Sequence, residues 1–468
     1  MQHNFSYFLE YPTILNIIPN EQFYIKKSPI MDFSILLNKK IWILWYGKEW
    51  KSTLNFLLRH DVEPSNITIL DWKPVDNLPE WINSQTWENY LKNLNDFDLI
   101  FKSAGIPYYP EIQAVQDQTV TQVQFFFDHY EWKVIALTAS KWKTTMTALT
   151  NHLLQTAWYD TKLVGNIWTA VLDEIDFETT HDFVVIELSS FMLETLKKKN
   201  FCSILWAIFP VHLDRHWNME NYTKAKFNII NWSEHTIVYE KTLNDYQLKD
   251  KFSNSDLIPY WAESQYTRDW VCFYSKWRPV FPLSDINLIW EHNLQNISAI
   301  VALADLLQIP ATTLQKAIQT FTAVRHRLQL VGNFKWIDFY DDAIATTPDS
   351  TMAAMNAIWD KLETIFLGWI EWFWFDFPAL VERIRKSPIK NIVFFPDSWE
   401  KIAEMLWEEW YTTLHTRDMK EAVKFAYEHT NKWKVCLLST ASPSFSCWKN
   451  FEEKWDLFQQ YVIEMWKE

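Results

Sequence analysis

Glycine is nearly missing from this sequence: 5 residues in a chain of 468. At the usual share of about 7%, a chain of this length carries roughly 33. Tight turns depend on a residue that enters positive φ without penalty, so the shortage rules out taking the composition at face value. Cysteine is sparse too. Cys202, Cys272, Cys436 and Cys447 form no CxxC pair, which excludes a disulfide framework and a clustered thiolate zinc site and fits a reducing, cytoplasmic setting. No apolar run reaches the ~18 residues that span a bilayer. The N-terminus lacks a basic stretch leading into an apolar one, so neither a membrane association nor a secretory signal is expected. Positive charge is in deficit: 44 Lys and Arg against 58 Asp and Glu leave a net charge of −14. That argues against nucleic acid as a partner across the whole surface, while a local basic pocket stays open.

What is abundant is tryptophan, with 29 residues. The combined count of tryptophan and glycine sits at the glycine expectation, and the local chemistry agrees. Trp158 ends a helix-like stretch, LLQTAWYD, where a left-handed glycine is expected. Trp336 stands at a hairpin turn in NFKWIDFY. Trp45, Trp50 and Trp142 fall in turns that resemble phosphate loops, where a bulky side chain is least tolerable. We read many of these tryptophans as glycine codons, in-frame UGA decoded as Trp in a genome where it encodes Gly. A tryptophan-rich carbohydrate binder would explain the aromatics but not the missing glycines.

Hydrophobic residues make up 48% of the chain, ample for two or three domains. Residues 1–38 match no motif and are read as an extension of unknown role. From Lys39 the chain runs strand, tight turn, helix (KKIWILWYGKEWKSTLNFLL), then a second strand ending at Asp71. With glycine restored the turn becomes GYGKEG, close to a dinucleotide-type loop. Further strand-then-loop units follow at VIALTASKWKTTMTALTNHLL, FVVIELSSFMLETL and SILWAIFPVHLDRH. After Arg325 short apolar strands (ETIFLG, NIVFF, KVCLLS) alternate with helical stretches. The alternation predicts an α/β protein with mostly parallel sheets and polar motifs in the loops at strand ends.

TASKWKTT at 138–145 becomes TASKGKTT with glycine at 142, a phosphate-cradling loop opening a helix with Lys-Thr, though shorter than the usual Walker spacing. It stands in a series: GNIW at 165–168, ELSSFMLE at 187–194, HLDRHWNMENYTKAK at 212–226, HNLQN at 292–296, RHRLQL at 325–330, YDDAIATTP at 340–348 and LLSTASPSFS…KNFEEKWDLF at 437–458. In this order the blocks resemble the Mur ligases, ATP-dependent amide-forming enzymes of peptidoglycan precursor synthesis. They are most similar to the branch that joins D-glutamate to UDP-N-acetylmuramoyl-L-alanine.

The resemblance implies three α/β domains. These are a Rossmann-like domain for the UDP-muramoyl substrate (39–121), a central P-loop-type ATPase domain with a mostly parallel sheet for ATP and Mg²⁺ (122–322), and a Rossmann-like domain for the amino acid (323–468). By motif, Ala139, Ser140, Lys141, Trp142, Lys143, Thr144 and Thr145 would cradle ATP, with Lys143 on the β/γ-phosphates. Asn293, Asn296, Arg327 and Asp342 match further nucleotide positions, Arg327 reaching over from the third domain. Two magnesium ions would be held by Thr144, Glu187, His212 and a carbamylated Lys226; Lys143, His212 and Lys226 would be catalytic. Gly47, Lys48, Glu49, Asp71 and Asn166 match the UDP-muramoyl positions, and Thr346, Ser444, Phe445 and Phe451 the amino-acid pocket. A cytoplasmic monomer is expected. Glycine is expected at Trp45, Trp50, Trp142, Trp158, Trp168, Trp217, Trp336, Trp369 and Trp455.

Three departures stand out. Ala139 occupies the first glycine of the phosphate loop and is tolerable only at negative φ. Met192 stands where the family usually has Gln. Near Glu371 the family places a basic residue for the D-glutamate side chain, and FLGWIEWFWFDF has none. The alternatives are a sister Mur ligase or a folylpolyglutamate-type synthetase with another amino acid, or an inactive UDP-sugar-binding paralogue should Trp142 be genuine.

Overall fold

The computed structural model describes residues 33–467 outside 45–47, 73–74, 76–77, 87–89, 131–132, 167, 176, 178, 198–199, 287–290, 323–327, 344, 346–347, 369–376, 396–403, 407–409, 442–447 and 449–450. At 48, 214, 291, 292, 349, 451 and 452 the description is of the backbone alone.

Among the described residues three mostly parallel sheets and one small antiparallel sheet follow one another along the chain. The first comprises β1 (Ile41–Leu44), β2 (Ile67–Asp71), β3 (Asn83–Thr86), β4 (Leu99–Lys102) and β5 (Thr119–Val120), in the order β3-β2-β1-β4-β5. All its pairings are parallel. The second has β6 (Val134–Thr138), β7 (Thr161–Gly165), β8 (Phe183–Glu187), β9 (Asn200–Leu205), β10 (Ser233–Tyr239) and β11 (Asp256–Tyr260) in the order β11-β10-β9-β6-β8-β7, again parallel. A three-stranded antiparallel meander, β12 (Tyr266–Arg268), β13 (Cys272–Ser275) and β14 (Arg278–Pro282), comes next. The third sheet has β15 (Gln329–Phe334), β16 (Ile337–Asp341), β17 (Leu362–Leu367), β18 (Asn391–Phe394), β19 (Thr412–His415) and β20 (Val435–Leu438) in the order β15-β16-β20-β17-β18-β19. Only its β15–β16 hairpin is antiparallel. Strands buried on both faces read as near-continuous apolar runs, and IWIL, VIALT, FVVIE and VCLL are buried at every position.

The two faces of the central sheet feed different cores, by the period of two along a strand. Val134 and Ala136 join a core shared with the first sheet through Ile41, Ile43, Phe101 and Phe125–Phe127. Ile135 and Leu137 join another with Leu149 and Leu153 of the helix Lys143–Thr156 and with Ile297 and Ile300 of the helix Glu291–Leu306. Phe33, near the end of the segment 1–38, belongs to the shared core: its ring lies 5.2 Å from Phe56 and 5.3 Å from Phe177. Met192, at the family's usual Gln, is a core residue too.

The backbone tests the tryptophans one by one. Trp142, Trp158, Trp217, Trp261, Trp277, Trp336 and Trp433 all have φ between 65° and 76°, a conformation costing a side-chain-bearing residue about 1–2 kcal/mol. Trp158 caps its helix in a Schellman turn: Tyr159 N donates to Leu154 O (3.0 Å) and Trp158 N to Gln155 O (3.0 Å). The two-residue hairpin turns Lys276–Trp277 and Lys335–Trp336 have positive φ at both residues, the pattern that favours Asn-Gly. Trp50, expected in a turn, instead lies within the helix Lys48–Arg59 and is buried. A small residue there serves close packing of helix on strand rather than a left-handed turn. Trp455 is helical as well; Trp45 and Trp369 lie outside the described residues.

Candidate active site

β6 is flanked by β9 on one side and β8 on the other, and the chain reverses its direction of strand addition there. Sites in open parallel sheets form outside the carboxyl ends of strands at such a reversal. The chain leaves β6 at Thr138, passes Ala139–Trp142 and enters the helix Lys143–Thr156, with Trp142 at its N-cap in the left-handed region (φ 65°). Thr144 and Thr145 are buried in the first turn. Ala139 is absent from the residues of positive φ, so its methyl group is tolerated. The Ser140 hydroxyl lies 2.7 Å from the Tyr222 hydroxyl and accepts from Phe209 N at 2.8 Å. Lys141 Nζ sits 5.7 Å from the centre of the Phe209 ring.

Lys226, on the helix Met219–Asn231, is buried and donates to Thr138 Oγ1 (2.7 Å) and to Ala139 O (2.9 Å). Burial pushes its pKa well below the usual lysine value, the Lys143 ammonium pushes the same way, and the Glu187 carboxylate opposes both. A buried lysine held towards its neutral amine is nucleophilic. Glu187, the fully buried last residue of β8, accepts from Asn166 Nδ2 at 2.6 Å and from the Trp168 indole N–H at 2.9 Å. One surviving glycine explains itself here. A Cβ at Gly165 (φ +94°) would lie 2.5 Å from the Glu187 carbonyl oxygen.

Tyr222 lies inside the block HLDRHWNMENYTKAK, where the resemblance gives it no role, yet it braces the loop through Ser140. The available signal was its spacing of four from Lys226, which puts both on one helix face. His212 is exposed at φ 56°, its ring 5.3 Å from Phe191. Among the described residues no three His, Cys, Asp or Glu side chains are grouped to hold a metal ion.

In the first sheet Asp71 is buried at the end of β2, and Glu49 accepts from Ser103 Oγ at 3.1 Å, with burial raising its pKa. On the helix Glu291–Leu306, Asn293 and Asn296 are buried, and neither Asn296 amide atom has a hydrogen-bond partner among the described residues. Such orphaned polar atoms are rare in folded proteins and fit a ligand group. In the third sheet Asp342 accepts from Ser439 Oγ (2.9 Å) and from Leu328 N (3.2 Å). A cleft of about 500 Å³ opens beside the carboxyl ends of β9 and β10, lined by Trp142, Phe209, Tyr239, Thr242, Gln295 and Asn356 among others. Gly47, Arg327, Thr346, Ser444 and Phe445 lie outside the described residues, as do the side chains of Lys48 and Phe451.

The Mur ligase middle domain family matches residues 137–304. The UDP-N-acetylmuramoylalanine–D-glutamate ligase of Acetivibrio thermocellus is 30% identical over 464 residues, covering 91% of this chain and 96% of that protein. The enzyme of the same name from Caldicellulosiruptor saccharolyticus is 26% identical, covering 92% and 100%. Among solved structures, the UDP-N-acetylmuramate-alanine ligase MurC of Thermotoga maritima superposes with a TM-score of 0.58 at 16% identity, over 92% of this chain and 99% of that one. The MurF ligase of the same organism, in complex with ADP, gives 0.56 at 12% identity, over 93% and 98%. The parallel sheets, the phosphate-loop geometry at β6 and a relative matched nearly end to end agree: this chain belongs to the Mur ligases, the ATP-dependent amide-forming enzymes of peptidoglycan precursor synthesis.

Proposed function

We propose that this Mur ligase joins D-glutamate to UDP-N-acetylmuramoyl-L-alanine in the cytoplasm, acting as a monomer. The observation that carries the amino-acid choice is the match, over 96% and 100% of their lengths, to two ligases named for D-glutamate. Residues 39–121, 122–322 and 323–468 take the UDP substrate, ATP and the amino acid respectively. The muramoyl-L-alanine carboxylate attacks the γ-phosphorus of ATP, forming an acyl phosphate and releasing ADP. The D-glutamate amine then attacks the acyl carbon, the tetrahedral intermediate collapses, phosphate leaves and the amine loses its proton.

The loop Ala139–Trp142, with glycine at 142, offers backbone N–H groups to the phosphates, and Lys143 offsets charge on the transferring phosphoryl group. Ser140, held by Tyr222 and Phe209, fixes the loop before nucleotide arrives. Asn296 gives the nucleotide its orphaned amide. Arg327 and Asp342 bring the third domain onto ATP, coupling closure to the reaction.

The donor set also fits magnesium, given glycine at 168. Glu187 then keeps an oxygen that the Trp168 indole otherwise occupies, and the depressed Lys226 amine can take up CO₂ to become an anionic carbamate. Thr144, Glu187, His212 and carbamylated Lys226 would hold the ions. Bound magnesium would supply charge neutralisation on the phosphates and the acyl phosphate.

The sequence of 369–376 favours a second reading, a sister ligase with another amino acid, because it has no base near Glu371. A phosphate-release assay on the glycine-restored chain separates the two. D-glutamate is expected to be turned over, with a raised KM, ahead of L-alanine, L-lysine and meso-diaminopimelate; faster turnover of any of these rejects D-glutamate.

A further inference from the structure

Among the described residues three lysines are buried: Lys102, Lys226 and Lys454. Lys226 is the one that the function proposed above modifies, and its surroundings bear on when that happens. Two acceptors meet its Nζ, Thr138 Oγ1 at 2.7 Å and Ala139 O at 2.9 Å. The second belongs to the backbone of the phosphate loop. The first is a side chain to which the resemblance assigns no role. Thr138 ends β6 and is buried, and its own hydroxyl proton is donated to Leu188 O at 2.7 Å. Leu188 directly follows Glu187, the last residue of β8. With that proton committed, the hydroxyl meets Nζ as an acceptor.

Each state of the lysine nitrogen offers a different number of donors. An ammonium has three N–H bonds, one more than these two acceptors take. A neutral amine has two N–H bonds and a lone pair, which matches them. A carbamate nitrogen keeps one. Carbamylation joins the amine lone pair to the carbon of CO₂, moves one C–O π pair onto oxygen and releases one N–H proton to water. It therefore strands one of two oxygens, Thr138 Oγ1 or Ala139 O, in residues that are both buried. A buried polar atom that loses its partner costs more than an average hydrogen bond contributes. The free amine is thus a satisfied resting state, and CO₂ has to draw the carbamate out of it.

We propose that Thr138 holds Lys226 in reserve: its hydroxyl stabilises the unmodified amine and makes carbamate occupancy respond to dissolved CO₂. This rests on the carbamylated Lys226 of the functional reading above. The test follows the ¹³C resonance of the carbamate in the full-length glycine-restored enzyme, at fixed magnesium and pH, as ¹³C-bicarbonate is titrated. In the parent the resonance should grow with bicarbonate. In Thr138→Val only Ala139 O remains, the single carbamate N–H satisfies it, and the amine becomes the state with a stranded N–H. Half-occupancy should then come at about 10-fold less bicarbonate, while Thr138→Ser should follow the parent. The thermal midpoint of Thr138→Val should fall, because Leu188 O loses its donor. If Thr138→Val does not fold, Thr138→Ala carries the same test. A half-occupancy point that stays put or moves to more bicarbonate would make Thr138 a structural clamp and overturn the proposal, as would a parent whose occupancy ignores bicarbonate. A parent with no carbamate resonance at any bicarbonate concentration would overturn the reading of Lys226 itself, and this inference with it.

Discussion

Trp277 and Trp142 share one backbone conformation, φ 65° in each, and differ in everything around it. Trp277 sits in a solvent-facing hairpin turn between β13 and β14, its side chain 63% exposed. Trp142 caps the helix that follows β6 and lines the cleft beside β9 and β10. In the hairpin the indole has water to point into, and the only penalty is local strain. At the helix N-terminus the same side chain stands where backbone N–H groups must meet phosphate. Conformation sets the strain of a tryptophan in a glycine turn; what lies next to the turn sets the loss of function.

The sharpest way to break this comparison is nucleotide binding. Calorimetry with a non-hydrolysable ATP analogue should show no binding to the chain with all its tryptophans and clear binding after glycine is placed at 142, 168 and 217, a gain of about 100-fold or more. Glycine at 142 alone should recover little, because the Trp168 indole still occupies Glu187. Normal binding by the all-tryptophan chain would erase the distinction between the two turns.

A second test stays within the β6 edge. In the glycine-restored enzyme, Lys226→Met should cut turnover by about 100-fold or more while leaving the thermal midpoint near the parent value, since an apolar side chain of similar length replaces a desolvated amine. A large drop in midpoint with turnover retained would make Lys226 a scaffold residue.

Strain away from the site should be smaller and additive. Trp158→Gly, Trp277→Gly and Trp336→Gly should each stabilise the fold by about 1 kcal/mol in denaturant titrations, the relief of left-handed strain slightly offset by the freer unfolded chain. Trp158 is 92% exposed, so little packing is given up.

The smallest expected effect concerns Lys102 at the end of β4. Burial, aided by Arg215, lowers its pKa from 10.5 to about 8. Between those values the unfolded chain binds more protons than the folded one, so stability rises with pH across that window, and the burial penalty is full below it. The difference in denaturation midpoint between the parent and Lys102→Met should therefore shift in favour of the parent as pH climbs from 8 to 10.5. A difference flat in pH would mean that the ammonium is not desolvated.

Much of this was legible in the residues. Buried parallel strands announce themselves as apolar runs such as VIALT and FVVIE, and the left-handed turns at 142, 158 and 336 were readable from helix ends and hairpin patterns. Trp261, Trp277 and Trp433 escaped notice because no family motif surrounds them, yet they have the same positive φ. Trp50 was misread as a turn because GxGxxG-like spacing conceals that its last glycine serves packing rather than conformation. Lys454 was invisible for another reason. A lysine in a helix normally faces water, and the burial of this one, with its Nζ 2.8 Å from Thr440 Oγ1, is a tertiary contact that no local pattern announces.

The most direct measurement is the mass of residue 142 in protein from the source organism. Lys141 and Lys143 flank the position, so a non-tryptic digest giving a peptide that spans Ala139–Thr145 is required. Glycine mass at 142 is the result this account predicts for a loop that cradles phosphate. Tryptophan mass in a protein that turns over ATP would contradict it, because phosphate would then have to reach those N–H groups past an indole.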